Sequence, residues 1–177
     1  MNEIVLRPLE SAAASELAAL QNAAFADYAQ SKQLAEVVAS ESAARSQAAP
    51  PQVQSPFGLA AFRGTVLVGW SKGYREGTTQ FYMLNSGVAH AERRQGVYSQ
   101  LVRSLLAHAE STGYSSVRSR HTAANTAVII AKLRLGFQVC GFEYSEVYGP
   151  LVQLTYLVGE ARRKLYETRA APIRPAQ

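Results

Sequence analysis

The chain has little of what builds crosslinked or metal-centred proteins. A single cysteine, Cys140, permits no disulfide within the chain and no cysteine metal cluster. Its neighbours Val139 and Gly141 make it read as a small buried hydrophobe rather than a nucleophile. The histidines at 90, 108 and 121 are scattered, with no carboxylate pair at ligand spacing beside them, so no metal is expected. The longest apolar runs, such as Val66-Leu67-Val68 and Ala127-Val128-Ile129-Ile130-Ala131, are far too short to cross a bilayer, and no membrane partner is expected. Met1-Asn2-Glu3-Ile4-Val5-Leu6-Arg7-Pro8 lacks the basic-then-apolar plan of a secretory leader, and a reducing cytoplasm is the expected location. No segment repeats another.

What is present fits one folded unit. A length of 177 residues suits a single domain, expected over residues 1–169, with 170–177 a frayed tail. The net charge of +5 raises a nucleic-acid reading. The densest basic run is only Arg162-Arg163-Lys164, which fits a solvated helix face better than a nucleic-acid patch. A polyanionic small ligand explains part of the excess equally well.

In chain order, Ile4 to Pro8 reads as a strand stopped by proline. Ser11 is placed to cap an alanine-rich helix running to about Tyr28, and a second helix is expected from Ser31 to Gln47. Gly58–Arg63 and Thr65–Tyr74 read as a hairpin around Arg63-Gly64, followed by a strand from Thr79 to Val88. Val97, Leu101, Leu105 and Ala109, widened by Val102 and Leu106, predict a helix from Gly96 to Ser111 that ends at Gly113. Tyr114 to His121 is a short strand. Asn125 caps the next helix, which ends at Gly136. Phe137–Tyr144 and Leu151–Val158 are strands, and Gly159–Arg169 is a basic helix. Strands and helices do not alternate strictly, so the expected class is α+β, with a mixed and mostly antiparallel sheet flanked by helices. The apolar strand Leu151–Val158 offers a surface for a homodimer.

The stretch Asn85 to Ser99 carries the strongest chemical signal. An apolar strand enters a polar turn, and Arg93, Arg94 and Gly96 open an amphipathic helix. The first N–H groups of a helix have no internal partner and lie at the positive end of its dipole, so this joint is built to hold an anion such as a phosphate.

Three stretches together resemble the GNAT superfamily of acyl-CoA N-acyltransferases, over nearly the whole chain. Val88 followed by Arg93-Arg94-Gln95-Gly96-Val97 is similar to the family's strand-end valine and Q/R-x-x-G-x-G/A turn. Asn125 with Leu133-Arg134-Leu135-Gly136-Phe137 is similar to its asparagine and Leu-Gly-Phe signature. Leu67-Val68-Gly69-Trp70 resembles the Val-Gly pair of the preceding strand. The resemblance implies acetyl-CoA as co-substrate, its pyrophosphate held by backbone N–H groups from Arg94 through Gln95, Gly96, Val97 and Tyr98 to Ser99, with Arg93 adding charge. It implies that Leu84–Val88 and Ser116–His121 splay apart around the pantetheine arm, which Asn125 reaches. Gly87 would start the splay as a bulge, and an N–H near Val88 would face the acyl carbonyl. Tyr98 departs from the commoner small residue. Lys132 stands where many members carry a tyrosine that protonates the departing thiolate; it either donates a proton or pairs with a coenzyme phosphate.

The expected reaction is acetyl transfer from acetyl-CoA to a primary amine of a small molecule or peptide, directly in a ternary complex. A catalytically silent acyl-CoA-binding module is the alternative, with a basic nucleic-acid-binding domain behind both. An alkyl ammonium has no lone pair, so a base is needed, and His121 closes the strand that flanks the acyl group. Tyr82 lies where some relatives place a catalytic glutamate and either orients water or packs. Glu143, Phe25 and Tyr28 are candidates to line the acceptor pocket.

Overall fold

The computed structural model of the protein describes residues 3–26, 36–37, 40 and 54–170. Seven strands form one sheet: β1 Ile4–Pro8, β2 Gln54–Arg63, β3 Val66–Glu76, β4 Gln80–Val88, β5 Ser116–Thr122, β6 Gln138–Ser145 and β7 Gly149–Leu157. Their order across the sheet is β1-β2-β3-β4-β5-β7-β6. Every neighbouring pair is antiparallel except β4–β5. That pair is parallel because a whole helix carries the chain back between the two strands. The α-helices described from end to end are α1 Ala14–Ala24, α2 Val97–Ser111, α3 Thr126–Arg134 and α4 Glu160–Ala170. The α+β class expected from the sequence is the class observed.

α2 fastens the sheet. Its buried residues Val97, Leu101, Val102, Leu105, Leu106 and Ala109 recur at helical spacing on one face. The later four pack on Phe81 and Met83 of β4, Val117 of β5 and Val152 and Leu154 of β7. The first two pack on Ala61, Val68 and Val88. On the other face of the sheet, Ala60, Phe62 and Leu67 meet Leu17 and Leu20 of α1. Gly113 ends α2 at φ +83°, where a side chain would be strained, and the Tyr114 N–H closes the helix on the Ala109 carbonyl at 2.9 Å. α3 ends the same way, with Gly136 at φ +90° and the Phe137 N–H bonded to the Lys132 carbonyl at 3.1 Å. Its start is also as expected, since Asn125 Oδ1 accepts from the Val128 N–H.

Several expectations fail for physical reasons. Ser11 does not cap α1; it ends a single 3-10 turn, Leu9–Ser11, and α1 starts after Ala13 with no side-chain cap. The Ser31–Gln47 helix is not among these failures: it falls mostly outside the described residues, and Glu36, Val37 and Ser40, which are described, are helical. Gly87 makes no bulge. It pairs regularly with Trp70, and the extra residue of β4 is Leu84, between the pairs Lys72–Asn85 and Gly73–Met83. Gly87 is glycine because the Trp70 ring lies against it: a Cβ there would stand 2.4 Å from Trp70 Cη2. Cys140 is exposed, because it is the extra residue of a bulge in the edge strand β6. β7 offers no free edge to a second copy, being paired on both sides, with Leu151, Val152 and Leu154 in the core. Arg162 and Arg163 of the basic run bond back to the Val158 and Leu157 carbonyls, so part of that run anchors α4 to the sheet. Among the described residues no helix is long and apolar enough to cross a membrane.

Gly87→Ala should therefore overpack the ring and cost about 1–3 kcal/mol. Urea unfolding followed by the fluorescence of Trp70, the chain's one tryptophan, checks this. An unchanged midpoint would mean that the ring yields freely.

Candidate active site

The β4–β5 ladder ends almost as soon as it begins. It has three pairs, Gln80–Ser116, Phe81–Val117 and Tyr82–Arg118. Beyond them β4 stays with β3 as far as Val88, opposite Gly69, and β5 stays with β7 as far as Thr122, opposite Leu151. The two halves of the sheet diverge from a vertex at Met83 and Ser119, just before the Leu84 bulge. Each arm thus presents an unpaired strand edge to the gap, able to bond an extended ligand as another strand would.

At the open end of β4 lies the turn into α2. Arg94 has φ +63° and Gly96 φ +81°. Backbone N–H groups from Arg94 to Ser99 donate no hydrogen bond among the described residues; Gln100 is the first to bond, to the Gly96 carbonyl at 3.0 Å. No atom lies within 4 Å of where a Gly96 Cβ would be. The side chains here have separate tasks. Arg93 donates to the Val88 carbonyl at 3.3 Å, and Gln95 donates to the Ala91 carbonyl at 2.9 Å. Glu92 and Gln95 both accept from Arg63 of β2, at 2.7 and 3.1 Å. The Arg63 hydrogen bond holds the Glu92 carboxyl below its usual range. Arg93 and Gln95 thus fasten the turn, while Arg94 is exposed and Val97 is core. Tyr98 packs where two core clusters meet. Burial raises its phenol pKa strongly, Ser86 offsetting part of the rise from outside hydrogen-bond geometry.

Lys132 of α3 reaches the vertex. It is fully buried, with Nζ 3.3 Å from Met83 Sδ and 4.5 Å from the centre of the Phe137 ring. No carboxylate pairs with it among the described residues. Burial lowers its pKa to about 7. Val117, Ser119 and His121 alternate onto one face of β5. Ser119 Oγ and His121 Nε2 are buried without a partner among the described residues. Burial, then the nearby Lys132 charge, lowers His121 to about 3. His121 is therefore neutral at neutral pH and a weak base, a poorer candidate than its position in the sequence suggests.

The opposite face carries a polar group of residues. Tyr82 packs against Tyr74 at 5.5 Å, with the Arg120 guanidinium 5.4 Å from its ring centre. Burial raises the Tyr82 pKa. Glu143 accepts from Gln153 Nε2 and lies 3.6 Å from Arg120 Nε. Arg118 donates to Glu76, Gln80 and Gln153 at 3.2–3.4 Å. The structure thus joins Tyr82 and Glu143 on one face and His121 and Lys132 on the other. Phe25, at the end of α1, stands edge-on to Trp70 at 5.9 Å; Tyr28 lies outside the described residues. Sequence reasoning missed Arg63 and Arg120. Their partners are distant in the chain, and only the period-two alternation of β5 hinted at Arg120.

Comparison with known proteins shows the family and the fold. Residues 3–138 match the Acetyltransferase (GNAT) domain family. Comparison with curated protein sequences finds no match. Among solved structures, the ribosomal-protein-S18-alanine N-acetyltransferase of Escherichia coli superposes with a TM-score of 0.68 at 13% identity, covering 89% of this chain and 96% of that one. Ard1 of Thermoplasma volcanium gives 0.64 at 18% identity, covering 89% and 99%. A GNAT family acetyltransferase of Elizabethkingia anophelis with acetyl-CoA bound gives 0.61 at 14% identity, covering 89% and 100%. At such identities these structures share the fold. The chain belongs to the GNAT acetyltransferase family, and its enzyme class is that of a GNAT-type N-acetyltransferase.

Between pH 7 and 10.5 the unfolded chain holds the Lys132 proton more tightly than the folded one, so stability rises with pH across that window. Below it both states are protonated and the full cost of burying the ammonium is present. Lys132→Met should be more stable than wild type at pH 7, by on the order of a few kcal/mol. The difference should shrink toward pH 10 in denaturant titrations; a difference independent of pH would mean that Lys132 is buried without a shifted proton affinity.

Proposed function

We propose that the protein transfers an acetyl group from acetyl-CoA to a primary amine, directly in a ternary complex. The observation that carries this reading is the ladder that stops after three pairs, with unbonded N–H groups at its open end and a buried amine at its vertex. The residues present fit the coenzyme. The N–H groups from Arg94 to Ser99, at the positive end of α2, hold the pyrophosphate, and Arg94 adds charge. Gly96 leaves room for close approach. Asn125 uses Oδ1 as a cap, which leaves Nδ2 to donate to the pantetheine arm. Met83 to Val88 spans roughly 16 Å of strand at about 3.3 Å per residue. Val88, beside the turn, therefore backs the arm, and the N–H aimed at the acyl carbonyl belongs to the bulge at Leu84.

When bound, acetyl-CoA supplies a thioester whose C–S bond breaks as the amine nitrogen bonds to the carbonyl carbon. Lys132 donates a proton to the departing sulfur. Its pKa of about 7 makes it a stronger acid than a phenol and leaves a large protonated fraction at neutral pH. His121 Nε2 accepts a hydrogen bond from a donor in the gap, and the proton lost by the attacking amine passes to solvent water at the Tyr82–Glu143 face. The acceptor arrives neutral from the Tyr82–Glu143 face, since α2 covers the other, and proximity supplies much of the rate.

Acetyl-CoA at a hundred times its Kd should stabilise the protein by about 2.7 kcal/mol in a thermal-shift titration. Gly96→Asp should abolish that shift by placing a carboxylate in the phosphate turn. No shift in wild type sinks the coenzyme assignment. Lys132→Met should lower kcat about a hundredfold while keeping the shift, and Lys132→Tyr should recover part of the loss. Full activity in Lys132→Met removes it from the proton path. A shift with no thiol release for any amine would favour the silent binding module.

A further inference from the structure

Arg118 and Arg120 point to the same face of β5 but differ in what they hold. Arg118 is engaged by Glu76, Gln80 and Gln153. Arg120 meets only the Glu143 carboxylate, 3.6 Å from its Nε, and the Tyr82 ring beneath it. That separation is too long for a hydrogen bond. Its terminal nitrogens donate to no other described residue, and its side chain is 38% exposed. Arg120 also lies past the vertex, on the part of β5 that has left β4. Its guanidinium leans back over Tyr82, the last residue of β4 that pairs with β5, and so stands at the acceptor-side mouth of the gap.

The other charges at this mouth are accounted for. Glu76 is paired with Arg118, and Glu143 is shared between Gln153 and Arg120. No described carboxylate is left to receive a second cation, so the mouth does not suit a polyamine. A guanidinium standing over an aromatic ring, 5.4 Å from its centre, with its terminal nitrogens unpaired among the described residues, suits a carboxylate taken two-pronged. We propose that Arg120 binds a carboxylate of the acceptor, so that the amine acetylated belongs to an amino acid or a similar small amino-carboxylate. This rests on the transferase reading above.

The test uses matched pairs: leucine against isoamylamine, phenylalanine against phenethylamine and lysine against cadaverine. Thiol release is compared at equal concentrations of neutral amine. In at least one pair the amino acid should have the higher kcat/KM, by about tenfold to a hundredfold, the worth of a charge-assisted hydrogen bond. Arg120→Gln should remove that preference by raising KM for the amino acid alone, and Arg120→Lys should restore part of it. The preferred amino acid should raise the melting temperature of the CoA-bound wild type but not of Arg120→Gln. Equal rates within every pair, or an equal loss for both members in Arg120→Gln, would overturn the proposal while leaving the transferase reading intact. Acetyl-CoA binding without thiol release for any amine would overturn both.

Discussion

The structure depends on a hydrogen-bonded ladder that is not completed. β4 and β5 start as ordinary parallel neighbours, and α2 packs across them through Phe81, Met83 and Val117. Burial there makes the closed end of the gap rigid. Beyond Tyr82 and Arg118 each strand keeps a partner on its outer side only, so divergence loses one set of backbone bonds without unravelling either half. Leu84 makes the divergence local: one extra residue on β4 bends the strand at the point where its partner leaves. A fold that gives up ladder bonds at its centre needs other donors and acceptors to satisfy them, and an extended ligand is the simplest supply.

Much of this was legible in the sequence, and the parts that were not have a common cause. Periodicity revealed α2, whose buried positions match those read from spacing. Gly113 and Gly136 marked helix ends because their backbone angles are ones that other residues avoid. Asn125 could be read as a cap because its bond is local. Gly87 misled because a glycine in a strand has more than one cause. A bulge and a close aromatic neighbour leave the same letter, and Trp70 lies far away in sequence. Cys140 misled because burial of a small apolar residue depends on whether its strand is central or at an edge, which only topology decides.

The site was legible where backbone makes it and obscure where side chains do. The turn proposed to hold the pyrophosphate is a run of N–H groups, so a glycine and a helix start were enough to point to it. The side chains of Arg93 and Gln95 fasten the turn to β4 and to Arg63, which leaves the backbone N–H of Gln95 for the proposed ligand. His121 is the opposite case. Its identity and its place at the end of a strand suggested a base, but burial beside Lys132 lowers its proton affinity and makes it a weaker one.

Lys132 and His121 share one low-dielectric corner, and that decides which of them carries charge. Two cations cannot both be stable there without a carboxylate, so protonation of one suppresses the other. Lysine starts with the far higher intrinsic affinity and keeps its proton near neutrality, at the expense of the imidazole. The ring of Phe137 and the sulfur of Met83 are weak compensation for a lost hydration shell, which is why the ammonium retains its proton only up to about pH 7. A proton donor poised in this way suits a thiolate leaving into the same corner. The formal charges proposed to meet the acceptor, Arg120 and Glu143, lie across the sheet, where solvent reaches them. In the proposed reaction, alternation along β5 therefore separates a dry face that handles the leaving group from a wetter one that receives the nucleophile.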